Sequence, residues 1–356
     1  MIYHLMIDRF AGENGRFKGR RKKRRKGRCK AGYFKGGCLK GIIKRLDYIF
    51  DTLGMDGIML TPFYRTKSYH GYHILDYDTV DPHFGTWDDV DLLVRLVHER
   101  GKTITADFVA NHCHVSSHLI RDHPDWFQVL PDGHWKGYAG IRSLPMFDTD
   151  NVEARDFLTS KILRLCELSF DNIRLDHATG PTYDFWRYVR KEVKKQYPSV
   201  KLIGEVWGSL GFVTRTKDYK ANSVAFSPQE ARQLEYIGIL DGLLDFEYHD
   251  LMCAAVQEPW RLNDPRKLIQ QVEEHFARYP ADFDLWLFLD NHDLNRFLHE
   301  SAGNKKLLRE AIDFSKQWNR PFLYYYGTEK GYKNKRDIFD GRPYADEDVR
   351  QILKWK

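Results

Sequence analysis

The chain has 356 residues, 42% of them hydrophobic and 14% aromatic, with a formal net charge of +6. It is long enough for a large core, but no run of about 18 apolar residues exists, which argues against a membrane-spanning helix. The charge is local: eleven Lys or Arg and no acid lie between Arg16 and Lys30, leaving −5 for the remainder, so the chain as a whole is not a basic nucleic-acid binder.

From the N-terminus, Tyr3–Ile7 reads as a strand, which leaves no room for a signal peptide and predicts a cytoplasmic protein. An odd cysteine count of five argues against a disulfide framework, so Cys29 and Cys38 are read as unrelated thiols. The run Arg20–Lys26, inside a basic loop over 16–30, repels itself and reads as a solvated loop tip, with an anion or nucleic-acid contact as its functional alternative. Leu39, Ile42, Ile43, Leu46, Ile49, Phe50 and Leu53 recur at three- and four-residue steps, and Gly54 follows, so Leu39–Leu53 is predicted as one helix.

Strands and helices then alternate. Predicted strands are Gly57–Leu60, Thr103–Val109, Asn172–Leu175, Leu202–Gly204, Leu243–Phe246, Leu285–Leu289 and Pro321–Tyr325. Predicted helices are Trp87–Arg100, Val152–Leu168, Tyr183–Tyr197, Pro228–Tyr236, Arg266–Tyr279, Lys305–Trp318 and a final Ala345–Trp355. The strands are apolar on both faces, as strands buried between helices and a barrel interior must be. The fold class is α/β, a (β/α)8 TIM barrel, which needs about 250 residues. Between 113 and 150 the pattern lapses into His, Pro, Asp and Gly with Trp126, Phe127, Trp135 and Tyr138, an excursion after strand three. The organisation is therefore a first barrel part at 1–112, a small inserted domain at 113–150 and the rest of the barrel at 151–356.

Three carboxylates, Asp176, Glu205 and Asp293, close three of these strands. Acids at the carboxyl ends of different barrel strands converge on one pocket. Glycosidic bond cleavage uses such a pair, one ionised as nucleophile and one protonated as acid. Arg174 lies two residues before Asp176 on the same strand face, which lowers a carboxylate's pKa, whereas Glu205 stands among Ile203, Val206 and Trp207, which raises it.

Four segments, Asp107-Phe-Val-Ala-Asn-His112, Ile173-Arg-Leu-Asp-His177, Gly204-Glu-Val-Trp207 and Phe288-Leu-Asp-Asn-His-Asp293, resemble the ordered signature segments of the α-amylase family of glycoside hydrolases. Tyr69-His-Gly-Tyr72, Gly36-Gly-Cys-Leu-Lys-Gly41, Leu144-Pro-Met-Phe-Asp148 and Tyr325-Tyr-Gly-Thr-Glu329 agree with it, so the resemblance covers nearly the whole chain. It implies Asp176 as nucleophile, Glu205 as acid and later base, and Asp293 as a holder of sugar hydroxyls. It further implies Arg174 orienting Asp176, with His112 and His292 bonding the glucose, Tyr72 stacking on it and His70 nearby. Asp107 reads as structural, and Trp207 as either a sugar contact or a pocket wall. The chemistry requires no cofactor, although the resemblance implies Asn111 as a structural calcium ligand.

The partner implied is an α-glucan oligosaccharide. Water as acceptor gives hydrolysis and a sugar gives transglycosylation, while a catalytically idle glucan-binding relative is a third reading. Three departures stand out. His177-Ala-Thr-Gly180 lacks the Lys and His that many relatives carry there. Cys38 replaces an acid. No C-terminal β-sandwich follows the last predicted helix, which reads as a reduced member of the family.

Overall fold

Eight short segments lacking polar alternation can satisfy both their backbones and their two apolar faces only by pairing with one another under a cover of helices. The structure, a computed structural model, describes residues 1–17, 33–207, 233–257 and 265–355. The run Arg20–Lys26 and Cys29 lie outside the described residues, as does most of the predicted helix Pro228–Tyr236, of which a short 3-10 turn, Gln233–Tyr236, is described.

The strands β1 (Ile2–Leu5), β2 (Gly57–Leu60), β3 (Thr103–Val109), β4 (Asn172–Asp176), β5 (Lys201–Gly204), β6 (Gly242–Leu244), β7 (Asp284–Phe288) and β8 (Phe322–Tyr325) form a closed barrel in sequence order. All pairs are parallel, and Tyr3 on β1 pairs with both Ile58 on β2 and Tyr324 on β8 to close the ring. This is the expected TIM barrel. Helices Trp87–His98, Val152–Glu167, Tyr183–Gln196, Arg266–Phe276 and Lys305–Lys316 stand within a few residues of their predicted limits. Their starts are set locally, as when Thr86 and Asp89 form a reciprocal capping box and Asn151 accepts from the amides of Glu153 and Ala154. Among the described residues no helix is long and apolar enough to cross a membrane.

Four segments differ from expectation. Leu39–Leu53 is not one helix but a turn of α-helix, Leu39–Ile43, followed by a widened π-type turn, Tyr48–Thr52, in which the Leu53 amide reaches back five residues to Tyr48. Its apolar period still marks the buried side, because Leu39, Ile42, Leu46, Ile49 and Phe50 all face the core. Helix Phe246–Gln257 has no counterpart among the predicted elements. Strand β6 stops at Leu244, and the Asp245 side chain accepts from the Tyr248 amide at 3.0 Å, an N-cap that turns the chain into helix. An antiparallel hairpin, Tyr64–Thr66 with Ile74–Val80, follows β2. Finally, Ala345–Trp355 is a short 3-10 turn, Ala345–Asp348, followed by irregular chain rather than a helix.

After β3 the chain makes a short helix, His118–Asp122, and returns through isolated bridges pairing Phe127 with Phe147 and Gly137 with Pro145. Trp126, Phe127 and Phe147 are buried beneath it, against the main core.

Candidate active site

A parallel barrel directs the carboxyl ends of its strands to one rim, and residues in register on neighbouring strands occupy one layer. Asp107 on β3 is in register with Arg174 on β4, and Asp176 is the last residue of β4. Glu205 follows the last residue of β5, whereas Asp293 sits five residues past the end of β7, in the loop rather than on the strand. The predicted carboxylates thus come from three places on one rim.

Arg174 ties them together. Its Nη1 donates to Asp107 at 2.7 and 2.9 Å and to Asp176 Oδ1 at 2.8 Å, while Nη2 pairs with Glu205 Oε1. The guanidinium is 1% exposed, so its charge is not screened by solvent. Arg174 therefore does not separate Asp176 from an apolar Glu205, as the sequence suggests; one cation serves both, together with Asp107. Burial pushes Asp176 up to about 7 against the pull of Arg174, with Asp107 and Asp293 adding to the rise. Burial likewise raises Glu205 and lifts Asp107 to about 6, in both cases against Arg174. Burial also opposes ionisation of Asp293, but His292 and Arg350 overcome it and hold that carboxyl well below the usual range. The expectation that Asp176 is the depressed carboxylate is corrected: Asp293 is.

Local geometry supports each acid. The His177 amide donates to Glu205 Oε2 at 2.9 Å, and His177 takes a left-handed φ of 41° to present it. Tyr72 donates its hydroxyl to Asp107 at 2.7 Å, and its ring stacks on His292 at 5.1 Å with 4° between planes. His292 Nε2 lies 2.9 Å from Asp293 Oδ2. His70 stacks on Tyr72 at 5.7 Å and accepts from its amide. His112 stacks on Tyr138 at 4.7 Å, and Trp207 stacks on Phe246 at 5.5 Å. Burial lowers His112 to about 3 and His177 to about 4, with His177 and Arg174 respectively adding to the fall, so both rings are neutral at ordinary pH. Arg174, Asp176, Glu205, Asp293, Tyr72, His292 and His70 are thus one contact network, and His112 joins it through Tyr138, whose ring also meets His177 at 4.7 Å.

Three residues of this rim are not among the site residues predicted from sequence. Tyr138 comes from the 113–150 excursion, where only its aromatic character is visible. His177 enters through its backbone, which no side-chain pattern announces. Arg350 donates to Asp293 Oδ1 at 2.6 Å from a stretch that the sequence reads as the final helix.

Asn111, expected from the resemblance as a calcium ligand, sits beside His112 and Gly180. Its Nδ2 lies 3.2 Å from His112 Nδ1, and its Oδ1 faces Gly180 so closely that a Cβ there would come within 1.9 Å. Calcium takes six to eight oxygens, carboxylates among them, and no group of three or more His, Cys, Asp or Glu among the described residues could hold a metal.

Residues 5–143 match the family model described as alpha amylase, catalytic domain. Alpha-amylase 2 of Dictyoglomus thermophilum is 32% identical over 365 aligned residues, covering 100% of this chain and 59% of that protein. The intracellular maltogenic amylase of Bacillus subtilis is 30% identical, covering 85% of this chain and 50% of that protein. The chain therefore spans about half to three fifths of the length of these curated relatives. Among solved structures, an Anoxybacillus alpha-amylase superposes with a TM-score of 0.75 at 26% identity, covering 100% of this chain and 74% of that one. An alpha-amylase from Geobacillus thermoleovorans complexed with acarbose gives 0.72 at 27%, covering 99% and 77%.

Proposed function

The chain belongs to the α-amylase family of glycoside hydrolases, and from that premise we propose that it hydrolyses α-glucosidic bonds in maltodextrin-type oligosaccharides by double displacement. Asp176 attacks the anomeric carbon while Glu205 protonates the departing glycosidic oxygen. A glucosyl ester on Asp176 results. Glu205, now ionised, takes a proton from water, which attacks the same carbon and frees Asp176 with the anomeric configuration retained. Asp293 accepts hydrogen bonds from sugar hydroxyls as the ring flattens, and Tyr72 and His292 offer the stacked wall beside it.

The observation that carries this reading is the single buried Arg174 guanidinium shared by Asp176 and Glu205. Two raised carboxyls on one cation titrate as a pair, and one proton between them provides an acid and a base together. Support for substrates of the maltodextrin type comes from relatives named maltogenic amylase, cyclomaltodextrinase and neopullulanase. A cytoplasmic location belongs to the same proposal. It is supported by the relative named intracellular and, among the described residues, by the free thiols of Cys38, Cys113 and Cys166.

The test is a product profile on maltoheptaose, cyclodextrins and pullulan, with the anomer followed by NMR. Retention, and loss of turnover in Asp176→Asn, are expected. First-formed β-anomers would overturn the mechanism, and products longer than the substrate would replace hydrolysis by transfer.

A further inference from the structure

Arg350 has no place in the chemistry just described, yet all three of its guanidinium nitrogens are engaged at the pocket. Nη2 donates to Asp293 Oδ1 at 2.6 Å, Nε donates to the His292 carbonyl at 2.9 Å, and Nη1 pairs with Asp346. The side chain is 8% exposed, so this is a desolvated fork rather than a surface ion pair. It grips both the backbone and the side chain of the His292–Asp293 step. His292 holds the other Asp293 oxygen, and the Asp293 amide is bonded to Asn291 Oδ1 at 2.8 Å.

What brings Arg350 there is the irregular chain after Asp348. Four consecutive carbonyls are each taken by a side-chain donor from elsewhere in the barrel. Val349 accepts from Arg296 at 2.8 Å and Tyr325 at 3.2 Å, Arg350 from Arg9 at 3.0 Å, Gln351 from Tyr326 at 2.7 Å and Ile352 from Tyr332 at 3.1 Å. The Leu353 amide donates back to the Arg9 carbonyl at 2.8 Å, and Trp355 Nε1 donates to the Phe10 carbonyl at 2.6 Å. A backbone held this way fixes the Cα of Arg350 independently of its contact with Asp293. Arg174 pairs with Asp176 and Glu205 from within β4, and Arg350 pairs with Asp293 from beyond β8.

We propose that the 349–355 segment is a strap that delivers Arg350 as a positioning residue, locking the Asp293 carboxylate in the orientation from which it meets the sugar. The inference rests on the glycosidase reading for its catalytic consequence, though not for its geometry. Asp293 contributes most when the ring distorts, so loss of its anchor falls on kcat more than on KM.

The experiment compares the full chain with Arg350→Ala and Arg350→Lys on maltoheptaose. Removing a hydrogen bond to a charged group predicts a kcat lower by roughly ten- to a hundredfold in the Ala variant, with KM changed far less. Millimolar guanidinium should restore part of that loss, as should Lys, whereas a purely structural role would show as lost thermal stability with no rescue. Unchanged kcat, or a loss that neither guanidinium nor Lys repairs, overturns the proposal. A crystal structure of Arg350→Ala gives a reading independent of activity: Asp293 displaced supports the strap, and Asp293 unmoved defeats it. A wild-type chain that turns over no α-glucan would sink the glycosidase reading, while that crystal structure would still decide the positioning.

Discussion

The backbone amide of His177 donates to the carboxyl of Glu205 at 2.9 Å, and it can do so only because His177 adopts a φ of 41°. A left-handed residue between the last position of β4 and the turn to Gly180 aims an N–H across to the neighbouring strand end. Such a conformation costs a non-glycine residue on the order of 1–3 kcal/mol. His177→Gly keeps the amide and removes that cost, so turnover should persist, with the relief of strain offsetting part of the stability lost with the ring contact to Tyr138. His177→Val, β-branched at positive φ, should melt several degrees lower and lose activity. A glycine variant as damaged as the valine one would show that the imidazole, rather than the amide, matters.

Arg174 is the residue whose loss should do most harm. Three buried carboxyls share it, and removing one partner of a buried ion pair costs about 3–5 kcal/mol. Arg174→Lys keeps the charge but replaces a planar fork by a point, so it cannot bridge Asp107, Asp176 and Glu205 at once. Both Arg174→Ala and Arg174→Lys should lower kcat by at least about a hundredfold. Near-normal kcat in the Lys variant would mean that charge alone suffices.

Much of this architecture is legible in the sequence. Gly57–Leu60 and Thr103–Val109 coincide with β2 and β3, because a strand buried on both faces leaves an uninterrupted apolar run bounded by turn residues. Acids at the ends of such runs are legible for the same reason. What escapes is what depends on distant partners. Ala345, Val349 and Leu353 are spaced as on a helix and are all buried, yet the carbonyls that a helix would use internally are taken by Arg296, Arg9 and three tyrosines. Arg350 and Asp293 meet across 57 residues with no local signal. The expectation of Asp176 as the depressed acid fails because it counts a neighbouring arginine without the burial of the carboxyl, and without Asp107 and Asp293 nearby.

That burial has a kinetic signature. With Asp176 at about 7 in the free protein, its ionised form is gained as pH rises through neutrality. The acid limb of kcat/KM should therefore lie near pH 7 rather than near the ordinary carboxylate value of about 4. His112 at about 3 and His177 at about 4 do not titrate in that window. A kcat/KM profile on maltotriose flat down to pH 5 would contradict the raised Asp176.

Stability should carry a separate pH dependence from His275. Burial opposes its charge, but bonds to Asp245 and Glu247 prevail and raise it to about 9. His275 Nε2 lies 2.7 Å from Asp245 Oδ2, with both side chains almost fully buried. A folded-state pKa above the unfolded value of about 6.5 stabilises fully below pH 6.5, and the contribution disappears as pH rises through about 9. The linkage amounts to about 3 kcal/mol at most, since each tenfold gain in proton affinity on folding is worth about 1.4 kcal/mol. The Asp245 side chain also caps helix Phe246–Gln257 through the Tyr248 amide, so the imidazolium stabilises a helix start as well as a pair. Chemical denaturation between pH 6 and 9.5 should show the wild type losing stability across this window while His275→Gln, less stable at pH 6, loses much less. Parallel slopes for the two proteins would show that His275 is not charged in the folded state.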